Sequence, residues 1–348
     1  MPQSVMGAFF AGERRLVLKR FEQSTPGPLD VVIQVKAAGV CGSDLHQYLG
    51  RWSQPQYAPG HEIAGLVTDV GASVTHVAPG DRVCVEPFIY CGSCCYCRAG
   101  RYFMCPDMGF LSLTHHGGFA QEVIAPAYGV YRLPDTLSLE TGALAEPCAV
   151  AVHAVRLAQV NPADAVLVLG AGIIGLMAVA AARHFGAQNV YISARHPHQA
   201  QAALQLGADG VLSTDPYQLS RELKECLPEG PDVVMEAVGS FAGTFQQAID
   251  LAGKLARVVL VGGNTQPMEG IDLEPVIMKE LVLYGSGCYS QIGTRRDFEI
   301  AIEMLAADPA RFEALVTHRF GLCDIQQAFE TALDKKASGA LKVMVTDA

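Results

Sequence analysis

The sequence has too little positive charge to suggest a protein that binds nucleic acid. Lys and Arg together number 25 against 35 Asp and Glu, which gives a formal net charge of −10. Binding to a phosphate backbone requires a basic face, so this balance argues against a nucleic-acid partner. The net charge does not identify a substrate, because it mainly reports solubility.

Long apolar runs are also missing. The longest candidate, residues 165–182, is interrupted by three glycines, and no uninterrupted run approaches the roughly 18 residues that cross a bilayer. The amino-terminal residues lack the basic start and apolar stretch of a signal peptide. We therefore expect a cytoplasmic protein with no membrane partner, in which the 11 cysteines stay reduced and act as metal ligands or buried thiols before disulfides.

What the chain does contain is enough apolar material for large cores. Half of its 348 residues are hydrophobic and only 17% are charged, which disfavours disorder. At about 150 residues per domain, this length suggests roughly two domains.

The rhythm of the sequence changes near residue 150. Before it, short β-like runs alternate with Pro-Gly turns, which predicts a mostly β, barrel-like domain with long loops. After it, six short apolar runs alternate with helical patterns, which predicts an α/β domain with a doubly wound parallel sheet. The last sixty or so residues contain an amphipathic helix and a closing strand, and we expect them to return to the first domain.

A glycine-rich motif follows the first of the six strands and opens a helix. In this context a G-x-G-x-x-G sequence predicts a dinucleotide site, because the glycines permit a tight turn, close approach of a pyrophosphate and close helix–strand packing. The free N–H groups of the helix would bind the phosphates. The residues of the motif are Gly170, Ala171, Gly172, Ile173, Ile174 and Gly175.

The second strand of this domain ends without the acidic residue that holds the ribose hydroxyls of NAD. Instead it ends in Ser193, Ala194 and Arg195, followed by His196 and His198. An arginine there would bind a 2′-phosphate through charge-assisted bidentate hydrogen bonds. We predict NADP over NAD, with Arg195 as the main contact. The alternative is that Arg195 is a solvated loop residue and the cofactor is NAD.

Two clusters of potential metal ligands lie in the first 150 residues. One has the spacing Cys-x2-Cys-x2-Cys-x7-Cys and predicts a closed, structural zinc site, with a redox dithiol as the alternative. Its residues are Cys91, Cys94, Cys97 and Cys105. The other combines thiol, imidazole and carboxylate, which suits an open zinc site. Its residues are Cys41, His61, Glu62 and Glu146.

Gly60 to Val74 matches the pattern Gly-His-Glu-x2-Gly-x5-Gly-x2-Val, and the chain thereby resembles the zinc-dependent medium-chain alcohol dehydrogenases. The resemblance covers essentially the whole chain. Residues 142–154, 315–320 and 341–345 look most similar to the sorbitol (polyol) dehydrogenase branch.

The resemblance implies a GroES-like catalytic domain over 1–152, a Rossmann domain over 153–287 and a carboxyl-terminal segment, 288–348, that returns to the catalytic domain. It also implies an active site in the cleft between the domains and a homodimer or homotetramer.

The resemblance further implies roles for individual residues. Cys41 and His61 would bind the catalytic zinc, with Glu62 and Glu146 as ligands or in exchange with water. Asp44 would orient His61. The proton would leave through Ser43 and His46, although His46 could instead be a loop histidine without a proton role.

The expected reaction is hydride transfer between a secondary alcohol, polyol or sugar-derived hydroxyl and NAD(P). Trp52, Phe110 and Tyr289 are candidate substrate contacts. The polyol branch commonly has an Arg-Tyr pair where this chain has Cys288 and Tyr289, so sorbitol itself is in doubt. The alternatives are a threonine-type amino-alcohol dehydrogenase and a non-catalytic dinucleotide-sensing protein. Intact zinc ligands disfavour a zinc-free quinone or enoyl reductase.

Overall fold

The middle of the chain folds as an alternation of strand and helix, as its apolar runs predict. The computed structural model describes residues 4–239, 243–263 and 267–346. Its contacts divide the chain into two units, Pro147–Ile292 and a discontinuous unit of Met1–Glu146 with Gly293–Ala348. The domain limits predicted above, 1–152, 153–287 and 288–348, stay a prediction.

The Pro147–Ile292 unit is built on a six-stranded sheet. Its strands are β10 (Ala165–Leu169), β11 (Asn189–Ser193), β12 (Gly210–Leu212), β13 (Val233–Glu236), β14 (Arg257–Leu260) and β15 (Val282–Gly285), followed by the short β16 (Gln291–Ile292). Its helices are α5 (Ile173–His184), α6 (Pro197–Gln205), α7 (Pro216–Cys226), α8 (Thr244–Leu251) and α9 (Glu274–Met278), while α4 (Ala145–Leu157) crosses into this unit from the other.

The six strands are all parallel, in the order β12-β11-β10-β13-β14-β15. Every residue of β10 and β13 is buried, as expected for strands covered on both faces. The chain runs outward from β10 through β12 and then resumes on the other side of β10 with β13. Ligands of such sheets bind beyond the carboxyl ends of the strands at this switch point, and the doubly wound class predicted from the sequence is confirmed.

The discontinuous unit contains the remaining elements. Its strands are β1 (Ser4–Phe10), β2 (Leu16–Glu22), β3 (Asp30–Gly39), β4 (Glu62–Val70), β5 (Arg82–Val85), β6 (Phe88–Ile89), β7 (Gly109–Phe110), β8 (Glu122–Pro126), β9 (Val130–Arg132), β17 (Arg295–Arg296), β18 (Val316–Gly321) and β19 (Lys342–Thr346). Its helices are α1 (Gly42–Tyr48), α2 (Cys95–Arg98), α3 (Leu139–Ala143), α10 (Asp297–Ala307), α11 (Pro309–Glu313), α12 (Ile325–Leu333) and α13 (Lys335–Ser338), with 3₁₀ turns at Tyr102–Met104, Ala127–Gly129 and Leu322–Asp324.

A mostly antiparallel sheet organises this unit, with the order β18-β19-β3-β4-β5-β9 and β8 also paired to β3. The predicted mostly β class is confirmed. The last strand, β19, pairs antiparallel with β3 through the register Met344 to Gly39. The carboxyl-terminal segment therefore adds strands to the sheet that contains β3, β4 and β5.

Helix α12 fixes the position of α1 within the same unit. Phe329 of α12 is fully buried and packs against the rings of Tyr48 and Phe119, with centroids 5.1 and 5.6 Å away. The hydroxyl of Tyr48 donates a hydrogen bond of 2.7 Å to Glu330. Helix α1 is short and would be marginal in isolation, so these contacts hold the side chains that it carries.

Candidate functional site

The glycine motif forms the turn between β10 and α5. Gly170 has φ of +96°, a conformation that side chains other than glycine rarely adopt. A Cβ on Gly175 would lie 1.8 Å from the carbonyl oxygen of Gly170, so only glycine allows the helix to pack here. A Cβ on Gly172 would meet no protein atom within 4 Å. The backbone at Gly172 is therefore open to a ligand, as the predicted pyrophosphate site requires.

The predicted cofactor residues beyond β11 occupy different environments. Ser193 is buried, and its hydroxyl oxygen accepts a 3.1 Å hydrogen bond from the amide of Gly170. Arg195 is exposed. His196 is the N-cap of α6, and its ring stacks on that of His198 with centroids 5.4 Å apart. Arg195 is thus accessible to a ligand at the end of β11, while Ser193 helps to shape the glycine turn.

Three of the four ligands predicted for the open metal site converge. The ligand atoms of Cys41, His61 and Glu62 all lie within 4.8 Å of one another. Cys41 is the N-cap of α1, and Glu62 is the first residue of β4. The antiparallel pairing of β3 with β4 matches Gly39 with Glu62, which brings the carboxyl end of β3 and the start of β4 to the same edge of the sheet.

The polar atoms of this cluster are those expected of metal ligands. Among the described residues, Nδ1 of His61 is buried without a hydrogen-bond partner, and the carboxylate of Glu62 is buried with Lys342 as its ion-pair partner. A buried polar atom without a partner is rare unless an ion or water is bound nearby. Thiolate, imidazole and carboxylate are the donors of open zinc sites, so the residues present fit a zinc ion.

The electrostatics of the cluster favour a cation. Burial opposes protonation of His61, but the negative charge of Asp44, Cys41 and Glu146 outweighs it, so the pKa of His61 lies well above its usual range. Oδ1 of Asp44 lies 3.8 Å from Nδ1 of His61, and Oδ2 accepts a 3.0 Å hydrogen bond from the amide of Cys41. Asp44 thus connects two of the candidate ligands, as expected of a residue that orients them.

Glu146 lies in the first turn of α4 and is buried. In the described part of the chain it does not belong to the group of ligand atoms within 4.8 Å, although its charge reaches His61. Glu146 is therefore near the centre without joining the other three candidates.

Sequence reasoning missed Lys342 at this site. Its ammonium group forms an ion pair with Glu62 and donates a 3.1 Å hydrogen bond to the carbonyl of Val40. Both side chains of the pair are almost fully buried. No local pattern marks Lys342, since it lies in the last strand, far along the chain from Glu62.

The proposed proton residues and two of the candidate substrate residues lie in the same unit as the metal ligands. Ser43 and His46 are half-buried on α1, and the ring of Trp52 stacks on that of His46. Burial and the nearby Arg51 lower the pKa of His46. Phe110 lies with its ring centroid 5.3 Å from that of His61.

The third candidate substrate residue, Tyr289, belongs to the Pro147–Ile292 unit and is fully buried. Its neighbour Cys288 has φ of +49°, so the chain adopts a left-handed turn where the polyol branch commonly has an arginine.

The four regularly spaced cysteines form a second cluster. The sulfur atoms of Cys91, Cys94, Cys97 and Cys105 all lie within 4.8 Å of one another. The amide of Cys94 donates to the sulfur of Cys91 at 3.3 Å, and that of Cys97 donates to the sulfur of Cys94 at 3.4 Å. Hydrogen bonds from Ser93 and Cys94 lower the pKa of Cys91 to about 6. Cys95 is exposed and lies outside the group.

A buried polar network holds this four-cysteine lobe, residues 91–105, to the sheet. Glu86 accepts a 2.7 Å hydrogen bond from the hydroxyl of Tyr131 and lies 3.4 Å from the guanidinium of Arg296. Burial raises the pKa of the Glu86 carboxyl, and Tyr102, Arg296 and Tyr131 offset part of that effect. Tyr102 belongs to the lobe itself and stacks on Tyr90 at 4.7 Å.

None of the helices in the described part of the chain combines the length and hydropathy needed to cross a bilayer.

Two protein families match the chain. The alcohol dehydrogenase GroES-like domain matches residues 27–135, and the zinc-binding dehydrogenase family matches residues 174–307. The first match contains Cys41, His61 and Glu62 together with the four-cysteine lobe. The second includes Gly175, all of α5 except its first residue, and Arg195.

Two relatives share about a third of the residues. A sorbitol dehydrogenase of Arabidopsis thaliana is 35% identical over an alignment of 353 positions, gaps included, that covers 97% of this chain and 94% of that protein. An L-idonate 5-dehydrogenase of Vitis vinifera is 34% identical over 352 positions, with the same coverage of 97% and 94%.

Solved structures share the fold over the whole chain. An oxidoreductase/dehydrogenase of unknown specificity from Escherichia coli superposes with a TM-score of 0.90 and 30% identity, covering 99% of this chain and 100% of that one. A candidate zinc-binding dehydrogenase from Sinorhizobium meliloti 1021, bound to NADP, superposes with a TM-score of 0.88 and 28% identity, covering 99% of each chain.

Proposed function

The chain belongs to the zinc-dependent medium-chain alcohol dehydrogenases, in the sorbitol dehydrogenase branch, and from this membership we propose that it transfers hydride between NADP and a secondary hydroxyl of a polyol or sugar derivative. It is an alcohol oxidoreductase by family. The observation that carries the proposal is the convergence of Cys41, His61 and Glu62 within 4.8 Å. Thiolate, imidazole and carboxylate brought together in this way are the donors of an open zinc site.

Cys41, His61 and Glu62 would hold the catalytic zinc, with Glu146 of α4 as the further candidate ligand. A bound zinc supplies Lewis acidity that lowers the pKa of a hydroxyl on it, as it lowers that of water to about 7. The protein fixes the donor set around it: Asp44 orients His61, and Lys342 balances the charge of Glu62. Glu62 can therefore either keep its ion pair with Lys342 or bind the metal.

In the oxidation direction the alcohol loses a proton and a hydride. Ser43 accepts the hydroxyl proton and passes it toward His46, from which it reaches solvent. A bound nicotinamide would supply the hydride acceptor, so that the carbinol carbon would become a carbonyl. The lowered pKa of His46 supports this role, because a neutral imidazole can accept the proton.

The preference for NADP rests on the end of β11. Ser193 places no carboxylate there to repel a 2′-phosphate, and Arg195 is exposed beside the N-terminus of α6. The related Sinorhizobium meliloti protein that binds NADP is consistent with this preference. The competing assignment is NAD, in which case Arg195 is solvated with or without bound cofactor.

The four-cysteine lobe would hold a second, structural zinc. Four thiolates complete a tetrahedral zinc site and leave no position for a substrate. The redox-dithiol alternative predicts no zinc at these thiols and a disulfide on mild oxidation.

A substrate panel tests the proposed reaction. Polyols, sugar acids and threonine are assayed with NAD and NADP in parallel, in both directions, with zinc measured on the same samples. We expect activity on secondary hydroxyls of polyols or sugar acids, higher kcat/KM with NADP, and two zinc ions per chain. Threonine as the preferred substrate would support the amino-alcohol alternative. Tight dinucleotide binding without turnover of any alcohol would support the sensing alternative.

Two substitutions test the site itself. Cys41→Ser and Glu146→Gln should each reduce kcat/KM, with Cys41→Ser also releasing one zinc. Full turnover in both variants would exclude the catalytic-zinc assignment.

A further inference from the structure

The single tryptophan of this chain lies against the histidine that the proposed reaction needs for proton transfer. Trp52 is the only tryptophan among 348 residues. Its ring and the imidazole of His46 have centroids 4.9 Å apart and planes inclined by 29°. This offset stacking is a favoured arrangement for two aromatic rings, so it restrains the rotation of the imidazole.

The backbone that carries Trp52 is fixed to the same helix. The amides of Arg51 and Trp52 both donate to the carbonyl oxygen of His46, at 2.9 and 3.3 Å. The side-chain amide of Gln54 donates to the carbonyl of Gln47 at 2.9 Å and to that of Gly12 at 3.1 Å. The turn after α1 therefore holds the indole over His46 and is itself anchored at two points.

In the part of the chain that the structure describes, no hydrogen bond orients the interior side of this imidazole. Nδ1 of His46 is buried and finds no hydrogen-bond partner among the described residues. Most buried histidines are oriented by a hydrogen bond to one ring nitrogen. Here the stacked indole, in place of a hydrogen bond, orients the ring, and Nδ1 stays free to accept a proton.

The surrounding charges do not favour an imidazolium. Arg51 is the charged group that acts on His46, and with burial, the larger effect, it lowers the pKa of that imidazole. The carboxylates nearby on α1 and α12 are engaged elsewhere: Asp44 accepts from the amide of Cys41, and Glu330 accepts from Tyr48. A protonated ring would gain a cation–π contact with Trp52, which opposes these effects.

We propose that Trp52 is a positioning residue, which holds His46 as a fixed and neutral acceptor for the proton that leaves through Ser43. This inference rests on the proposed function, since it assigns His46 to proton transfer. It differs from the expectation that Trp52 contacts the substrate, because a substrate contact would act independently of His46.

The first test is optical and uses the unmodified, zinc-loaded enzyme without cofactor. Because Trp52 is the only indole, its fluorescence reports on the stacked ring alone, and an imidazolium in contact quenches indole emission. We expect one transition in emission with its midpoint below about 6.5, the ordinary value for histidine. His46→Gln should abolish the transition, whereas His115→Gln, which changes an exposed imidazole stacked on Tyr57, should retain it. An emission that is independent of pH, or a transition that survives His46→Gln, would overturn the proposal.

The second test separates positioning from substrate contact. Trp52→Ala should lower kcat roughly tenfold to hundredfold, the cost of a misplaced catalytic group, with a smaller change in the KM of the alcohol. Because the imidazole of His46 becomes hydrated, the acid limb of the profile of kcat/KM against pH should move up toward pH 6.5. Trp52→Phe, which can still stack, should restore most of the rate.

The double variant gives the decisive comparison. In the His46→Gln background, Trp52→Ala should lower kcat little further, since both changes remove the same function. An equal decrease in kcat in both backgrounds, or an effect on KM alone, would contradict a positioning role. If the optical transition depends on His46 while His46→Gln leaves turnover and its pH profile unchanged, the positioning contact stands and the proton role under the proposed function fails.

Discussion

At the scale of single residues, the candidate metal centre depends on a glycine that carries no functional group. A Cβ on Gly39 would lie 1.9 Å from Oε2 of Glu62 and 2.7 Å from Cε of Lys342. The buried ion pair between Glu62 and Lys342 therefore occupies the space of a side chain at position 39. Breaking such a pair leaves a buried charge without compensation, which is strongly destabilising.

Gly39→Ala should displace this ion pair and weaken the metal centre. We expect lower stability in urea, by a few kcal/mol, of the order found on breaking buried pairs, together with reduced zinc content. Gly42→Ala is the matched control, because a Cβ there meets no atom within 4 Å. Equal unfolding midpoints for the two variants would show that Glu62 and Lys342 accommodate the methyl group.

Arg195 decides the cofactor preference if the phosphate interpretation is right. Arg195→Asp should lower kcat/KM with NADP about tenfold or more relative to NAD, since a charged hydrogen bond contributes about 1.5–3 kcal/mol and each 1.4 kcal/mol is a factor of about ten. Steady-state kinetics with both cofactors measures the ratio. Arg221→Asp changes an exposed arginine of α7 in the same unit and should leave the ratio unaltered. An unchanged ratio in Arg195→Asp would support the NAD alternative.

At the scale of elements, the four-cysteine lobe contains little regular secondary structure that could stabilise it. Helix α2 spans only Cys95–Arg98 and has no buried residue. The lobe is fixed by its sulfur cluster and by Tyr102 facing the buried Glu86. Segments of this size are folded by their metal, which can contribute on the order of 10 kcal/mol.

Cys97→Ser should therefore remove one zinc per chain and lower the melting temperature, while the remaining zinc stays at the other centre. Metal analysis and thermal unfolding measure both effects. Cys95→Ser provides the comparison, since Cys95 is exposed and outside the cluster. If both serine variants keep the same zinc content, the lobe is not a zinc site.

At the scale of the whole molecule, the edge of the six-stranded sheet bears on the subunit count. Strand β15 is the last strand of that sheet, and Val282 and Leu283 on it are exposed. Unpaired edges with apolar side chains are sites of association. We propose that two chains pair along β15 about a two-fold axis, which is the commonest symmetry of dimers.

Leu283→Lys should place charge in that contact and shift the protein toward monomers at micromolar concentration. Sedimentation velocity gives the mass. Tyr217→Lys alters a more exposed residue of α7 and should leave the mass unchanged. A Leu283→Lys variant with the mass of the unmodified protein would place the subunit contact elsewhere.

The motifs that sequence analysis recognised are those whose parts lie close together in the chain. The glycine turn spans six residues and the four cysteines span fifteen. In both, local geometry sets the function, because a tight turn needs glycine and a short loop can bring thiolates to one ion. The alternation of apolar strands and helices after residue 150 likewise determined the class of the second domain, since burial on two faces requires continuous apolar runs.

Contacts that depend on how the chain folds back on itself were decided only by the tertiary structure. Lys342 reaches the carbonyl of Val40, 302 positions earlier, because β19 pairs with β3. Trp52 lies on His46 because the turn after α1 folds back on the helix. Neither contact has a local pattern, since strand pairing and side-chain packing follow from which segments share a core. The sequence alone thus determined the chemistry available to this protein, and the fold decided which side chains surround and orient it.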